Sequence, residues 1–282
     1  MNIQEAIQQT AGKLAEAGVA EPVREASSLL GYVLGRDRTF LIAHPEYVLS
    51  EKEAADLSNV TGRRAAREPY QYIVGKQEFY GLEFLVNPDV LIPRPETELL
   101  VERGLDLLRV STGKRFCEVG VGSGCVTVAI LVNEPEATAA ALDVSDKAIA
   151  VARKNAERHG VANRAEFLRS DVFSSFNAAD LDLIVSNPPY IAAAAMDALQ
   201  PEVRDHEPHP ALSDNGDGLG IIRRIIKDSP KFLRRGGALM LEIGHGQEPE
   251  VRAMFDIAEW ESANVYDDLA GIPRVVTAMR SA

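Results

Sequence analysis

Arg115-Phe116-Cys117-Glu118-Val119 runs straight into Gly120-Val121-Gly122-Ser123-Gly124, and Cys125 to Val132 follows. A short apolar run, a glycine loop and a second apolar run predict strand, tight turn and helix, with the helix beginning near Ser123. Outward from this unit the texture repeats. Ala137 to Asp143, Ala165 to Arg169, Leu181 to Ser186 and Ala238 to Ile243 read as strands; Glu96 to Leu108, Asp146 to His159 and Leu219 to Leu233 read as helices. Strands alternating with helices predict an α/β fold: a Rossmann-like, doubly wound parallel sheet with helices on both faces. Ala263 to Asp267 and Arg274 to Met279, around Gly271-Ile272-Pro273, add an expected antiparallel pair at its edge.

Upstream the pattern changes. Asn2 with Glu5 and Ser50 with Glu53 match capping boxes, Pro22 suits a first helical position, and Gly18 and Gly35 suit helix stops. Residues 1–75 therefore read as a small helical bundle. Phe79 to Val86 and Val90 to Ile92, separated by Asn87-Pro88-Asp89, read as a hairpin-like connector over 76–95, and 96–282 as the sheet domain. Ile191 to Gly218 carries Pro201, Pro208 and Pro210 and lacks periodicity. A connection that long predicts a lid facing a substrate.

Composition sets bounds on function. The chain has 282 residues, a length expected for about two domains. No apolar stretch approaches the ~18 residues of a membrane span, so no membrane association is expected. Met1-Asn2-Ile3-Gln4-Glu5 lacks the start of a signal peptide. Two cysteines, Cys117 and Cys125, exclude a disulfide framework and a cysteine-based zinc site. A cytoplasmic protein is expected. A net charge of −12 argues against a broad duplex-binding face. Arg63, Arg64 and Arg67 cluster, which leaves a local basic patch open beside the commoner reading of a solvated helix face, and Arg94 and Glu98 read as a pair across a helix start. His206 and His209 lack a third ligand, so no metal is expected. Cys117, Cys125 and Trp260 read as core.

The glycine loop departs from the dinucleotide fingerprint, because Cys125 stands at its third position. G-x-G-x-G with Glu118 two residues ahead suits a nucleoside lacking a pyrophosphate, such as S-adenosylmethionine. Asp143 ends the next strand 19 residues beyond Gly124 (143 − 124 = 19), near the offset of a ribose-binding carboxylate. At the end of the third strand Asp171 could accept from an adenine amino group, while Val172 or Phe173 covers the ring.

Asn187-Pro188-Pro189-Tyr190 follows the apolar strand Leu181 to Ser186. Two prolines fix φ and remove two donors, leaving bare carbonyls. Asn187 adds a side-chain carbonyl oxygen, and Tyr190 a flat apolar face. Two acceptors held side by side match both hydrogens of one –NH2. That suits methylation of an amide or aryl amine nitrogen, whose delocalised lone pair must be freed before it attacks a sulfonium methyl.

Together with these loops, Glu68-Pro69-Tyr70-Gln71-Tyr72-Ile73-Val74-Gly75, Pro93-Arg94-Pro95-Glu96-Thr97-Glu98, Glu207-Pro208, Leu241-Glu242-Ile243-Gly244 with Gln247, and Asp268-Leu269-Ala270-Gly271 with Arg274 resemble the release-factor glutamine N5-methyltransferases (PrmC/HemK). The resemblance implies an S-adenosylmethionine-dependent methyltransferase domain behind a helical substrate-recognition domain. It implies transfer to the glutamine of the Gly-Gly-Gln loop in class-1 peptide chain release factors, with S-adenosylhomocysteine as product. On this resemblance Gly120, Val121, Gly122, Ser123, Gly124, Asp143 and Val172 would line the cofactor. Asn187 would touch cofactor and glutamine, and Pro188, Pro189 and Tyr190 would complete the glutamine pocket. Glu118, Val121 and Val172 depart from the commoner family residues, which leaves the adenine contact least defined. The tetrapeptide is shared with adenine-N6 and cytosine-N4 nucleic-acid methyltransferases, the competing enzymatic reading; no stable nucleic-acid complex is expected. A non-enzymatic module that only holds the cofactor is the second competitor.

Overall fold

A computed structural model describes residues 1–261 and 263–282, which separate into two units: Met1–Gly75 with Gln200–His206, and Lys76–Leu199 with Glu207–Ala282. The first unit is helical. It contains α1 (Ile3–Glu16), α2 (Pro22–Leu34), α3 (Arg38–Ala43), α4 (Glu51–Ala65) and α5 (Tyr70–Val74). Both capping boxes form, Asn2 with Glu5 and Ser50 with Glu53. Asp37 caps α3 through the Phe40 N–H, a start the periodicity did not reveal in so short a helix. Ile3, Leu14, Leu29, Leu30, Leu41 and Leu57 close the apolar centre of this unit.

The second unit opens with an antiparallel hairpin, β1 (Lys76–Phe79) and β2 (Leu82–Leu85); Val90 to Ile92 forms no strand. Then come α6 (Glu98–Val110), β3 (Arg115–Val119), α7 (Cys125–Asn133), β4 (Thr138–Asp143), α8 (Asp146–Arg158), β5 (Ala165–Arg169) and β6 (Leu181–Ser186). The long connection after β6 is not irregular. It winds into a 3-10 turn at Ala193–Ala198, α9 (Pro201–His206) and α10 (His209–Leu212). Its α9 belongs to the helical unit. The chain ends with α11 (Gly220–Asp228), β7 (Leu233–Glu242), α12 (Glu248–Arg252), β8 (Asn264–Asp267) and β9 (Pro273–Met279).

Seven strands form one sheet in the order β5-β4-β3-β6-β7-β9-β8, with β9 antiparallel to both of its neighbours and the others parallel. Alternating side chains divide the core between two faces. Phe116, Leu183, Val185 and Met240 pack on one side with Leu100, Leu105 and Ile130; Cys117, Ile184, Leu239 and Leu241 pack on the other with Ile222, Ile225 and Trp260. Strand order reverses between β3 and β6. The carboxyl ends of those two strands are where a doubly wound sheet presents a ligand crevice.

Candidate active site

The turn leaving β3 is made of glycines because a left-handed backbone and close packing coincide there. Gly124 has φ +82°, and a Cβ on it would stand 3.1 Å from the Ala152 Cβ of α8. Only glycine meets both demands. Gly120 and Val121 donate N–H bonds of 2.8 and 2.9 Å to the Leu142 carbonyl, tying the loop to β4. At the end of β4, Asp143 Oδ2 accepts from Gly122 N–H and Oδ1 from Ser145 N–H, both at 2.9 Å. Burial raises its pKa, while backbone N–H bonds from Gly122, Ser145 and Val144 hold it down. Ser145 caps α8, which leaves Asp143 free of that duty. A fixed carboxylate with spare lone pairs suits the two hydroxyls of a ribose.

One cavity brings together Gly120, Val121, Gly122, Ser123, Asp143, Asp171, Val172, Asn187 and Pro189. Gly124, Pro188 and Tyr190 do not line it. For Gly124 the reason is its contact with α8. Asp171 is exposed and paired with Arg224 at 2.9 Å, so any adenine contact would share that carboxylate with a guanidinium. Val172 is buried at φ +53°. A β-branched residue there stores roughly 1–3 kcal/mol of strain, of the kind that gathers at ligand clamps. Glu118 also faces the cavity and bonds the Thr127 N–H and hydroxyl. Burial pushes its pKa up to about 8, against the Thr127 bonds and with the charge of Asp143.

The Asn187–Tyr190 loop is braced from several directions. The Ser186 hydroxyl donates to the Val119 carbonyl at 2.6 Å, joining the ends of β6 and β3. Asn187 Nδ2 donates to Thr97 Oγ1 at 3.0 Å. The Tyr190 carbonyl accepts from Gln247 Nε2 at 2.9 Å. Gly218, at φ +80°, passes so close to that carbonyl that a Cβ would lie 2.3 Å away. Asp214 holds this approach by accepting from the N–H groups of Gly216, Gly218 and Gly220 at 2.9, 3.0 and 2.7 Å. The Tyr190 phenol turns down to Glu242 Oε1 at 3.4 Å, and burial raises its pKa. Glu242 is itself buried. Burial pushes its pKa up to about 7, against a Thr97 hydrogen bond, the Arg274 charge and Tyr190.

Two expectations from the sequence change. Arg94 pairs with the buried Glu207 at 2.5 Å, not with Glu98, which instead accepts the Tyr80 N–H at 2.8 Å. Glu207 also takes the Ile92 N–H at 3.2 Å, so its carboxylate meets a guanidinium and a backbone donor together. The Arg63, Arg64 and Arg67 cluster is no solvated face. Arg64 is buried between Glu25 and Glu202 at 2.9 and 3.0 Å, Arg67 binds Glu202 at 2.6 Å, and Arg63 binds Glu68 at 2.5 Å. His206 rests on the Ala66 carbonyl. Spacing did not single out Thr97 or Glu242. A carboxylate between Leu241 and Ile243 in an apolar strand was the available signal.

Family models match two segments: a PrmC N-terminal domain over residues 5–75 and a methyltransferase small domain over 96–204. The chain is 43% identical to a release factor glutamine methyltransferase of Geobacter sulfurreducens, across 97% of this chain and 95% of that one. It is 41% identical to one of Cereibacter sphaeroides (99% and 98%) and 40% to one of Nitratidesulfovibrio vulgaris (95% and 92%). Among solved structures, the hMettl16 catalytic domain with the MAT2A 3′UTR hairpin 6 aligns at TM-score 0.58 and 18% identity, covering 81% of each chain. A Pyrococcus furiosus methyltransferase aligns at 0.54 and 14%, covering 83% of this chain and all of that one. At such identities these two likenesses concern the fold.

Proposed function

The chain belongs to the release factor glutamine methyltransferase family, and from that premise we propose how its residues act. It is an S-adenosylmethionine-dependent enzyme that methylates the side-chain amide (N5) of the glutamine in the Gly-Gly-Gln motif of class-1 peptide chain release factors. One observation carries the residue assignment: Asn187 lines the cavity while its amide nitrogen is taken by Thr97, so Oδ1 is left to accept.

The cavity fits the cofactor. Asp143 offers a rigid carboxylate for the ribose, the Gly120–Ser123 backbone lies open beside it, and Val172 with Asp171 stands where an adenine would rest. When bound, S-adenosylmethionine supplies an electrophilic methyl group on a sulfonium. The protein's task is to make an amide nitrogen attack it. In our reading Asn187 Oδ1, which lines the cavity, accepts one hydrogen of the glutamine –NH2, and the Pro188 carbonyl, next to the cavity rather than in its lining, accepts the other. Both bonds strengthen as positive charge grows on nitrogen, so they favour the transition state over the ground state. They would also orient the nitrogen lone pair toward the methyl group that a bound cofactor would supply, and the nitrogen, made acidic by methylation, would release one of its two protons to solvent. Pro189 stiffens the loop. Tyr190 sits beneath it with its phenol on Glu242, and so acts more through the loop's shape than as an open platform. The helical unit is the proposed recognition element for the release factor, and the cytoplasm the proposed compartment.

The adenine or cytosine reading is not favoured. Relatives matched over nearly the whole chain carry the glutamine name, and the charge of −12 suits a protein acceptor better than a polyanion. The test is methyl transfer from labelled S-adenosylmethionine to unmethylated release factor, with DNA and RNA as parallel acceptors and mass spectrometry to locate the group. One methyl on the Gly-Gly-Gln glutamine is expected. Label in nucleic acid alone would overturn the acceptor, and binding of the cofactor without transfer to any acceptor would favour a holding module.

A further inference from the structure

We propose that Gln247 is a positioning residue for methyl transfer, which fixes the Tyr190 end of the acceptor loop from the turn between β7 and α12. The inference rests on the reading of Asn187 to Tyr190 given above. Pro188 and Pro189 lack N–H groups, so the middle of that loop has no donors with which to hold its own shape. Its carbonyls point where its two ends send them. Ser186 and Asn187 anchor the first end, on Val119 and Thr97. The last end is anchored by groups far away along the chain.

The Gln247 amide has one orientation. Its Oε1 accepts the Gly244 N–H at 2.8 Å, and its Nε2 donates to the Tyr190 carbonyl at 2.9 Å. A backbone N–H only donates and a carbonyl only accepts, so the opposite orientation would lose both bonds. The Gln247 N–H reaches the Gly244 carbonyl at 3.1 Å and closes the turn. Gly244 makes room for this contact, because a Cβ there would stand 2.9 Å from Gln247 Oε1 and 3.1 Å from Tyr190 Cδ2. The next N–H along the loop, that of Ile191, donates to the Leu212 carbonyl at 3.0 Å. The Tyr190 carbonyl and the Ile191 N–H are the two polar groups of one planar peptide unit, so holding both fixes the plane on which the loop ends. Gln247 stands at the N-cap position of α12 yet makes no side-chain capping bond. Its amide serves the loop and not its own helix. Neither Gln247 nor Gly244 lines the cavity, so their effect on the acceptor runs through the loop's shape. A displacement of ~1 Å at a reacting atom can cost on the order of 10²-fold in rate.

The experiment measures kcat and KM for an unmethylated release factor, calorimetric affinity for S-adenosylmethionine, and melting temperature, in Gln247→Glu, Gln247→Met and Gly244→Ala. Glutamate keeps the shape and still accepts from Gly244, but its second oxygen meets the Tyr190 carbonyl, acceptor against acceptor. Its kcat should fall at least tenfold while cofactor affinity stays within about twofold. Methionine removes both bonds without adding repulsion, so its kcat should lie between glutamate and wild type at a melting temperature close to wild type. Gly244→Ala should lower kcat in the same manner. Combining it with Gln247→Glu should cost little more than either change alone, as expected for residues acting as one unit. Unchanged kcat in Gln247→Glu would overturn the inference. So would a loss confined to cofactor affinity with full rate at saturating donor. Should Gln247→Glu fail to fold, Gln247→Met decides: wild-type kcat there, or failure of both to fold, would overturn the inference. A wild-type chain that leaves the release factor unmethylated would overturn the functional reading and this inference with it. Wild-type turnover with an indifferent Gln247→Glu removes only the inference.

Discussion

Two carboxylates, a half-buried one in the helical unit and a buried one in the sheet unit, are treated in opposite ways. Glu202 in the helical unit is desolvated, yet hydrogen bonds from Arg67, its own backbone and Arg64 overcome burial and lower its pKa. Glu242 at the end of β7 has no guanidinium in contact, and burial wins. The first arrangement neutralises charge and holds helices together. The second keeps a costly acceptor beneath a loop that needs oriented groups. Polar residues of the helical unit should therefore report on stability, and those at the sheet's carboxyl edge on rate and binding.

The strongest test of that division is Asn187→Ala. Turnover should fall at least ~10²-fold, the scale of losing one oriented polar group in a transition state, while the melting temperature stays close to wild type. A large drop in melting temperature with modest rate loss would break the comparison. Glu202→Ala should do the reverse. It leaves the buried Arg64 with Glu25 and the Glu68 carbonyl and takes both bonds from Arg67, a loss of about 2 kcal/mol in urea denaturation. Methyl transfer per folded molecule should hardly change.

Asp143→Ala sharpens the division within the sheet unit. Losing hydrogen bonds to a charged acceptor should weaken S-adenosylmethionine at least ~tenfold by calorimetry. Unchanged affinity would remove Asp143 from the site. The smallest effect is in pH dependence. Glu118 and Glu242 have folded pKa values near 8 and 7, above the ordinary 4.5, so between those limits the folded chain binds more protons than the unfolded one. Their stabilisation is complete below about pH 4.5 and fades as pH rises toward 8, on the order of 1 kcal/mol or more. Glu202 has the opposite sign, with stability present above 4.5 and lost in acid. Melting curves of Glu118→Gln should flatten on the neutral-to-alkaline side, and those of Glu202→Ala on the acid side. A Glu118→Gln curve parallel to wild type from pH 5 to 8.5 would refute the raised pKa.

The loops themselves were legible because each is contiguous and chemically unusual. Gly120 to Gly124 turn sharply after a strand, and Asn187 to Tyr190, in the proposed role, offer acceptors without donors. Asp143 was legible by its spacing from the glycines. Gly124 shows the limit of such reading: its glycine serves contact with Ala152, not the cavity. Arg94 shows another. Its neighbour Glu98 was the nearer partner along the chain, yet the buried carboxylate of Glu207 offered the stronger pairing.

From the sequence alone follow the alternation of strands and helices, the capped helices of the first 75 residues, and the two loops proposed to carry the chemistry. These depend on patterns within a few residues, where backbone geometry and side-chain period act directly. Only the tertiary structure decided that Gln200–His206 joins the helical unit, that Arg64 is buried, and that Asn187 meets Thr97 while Tyr190 meets Glu242. Those partners lie far apart along the chain. Desolvation and hydrogen-bond direction act through space, so neither is written in the spacing of residues.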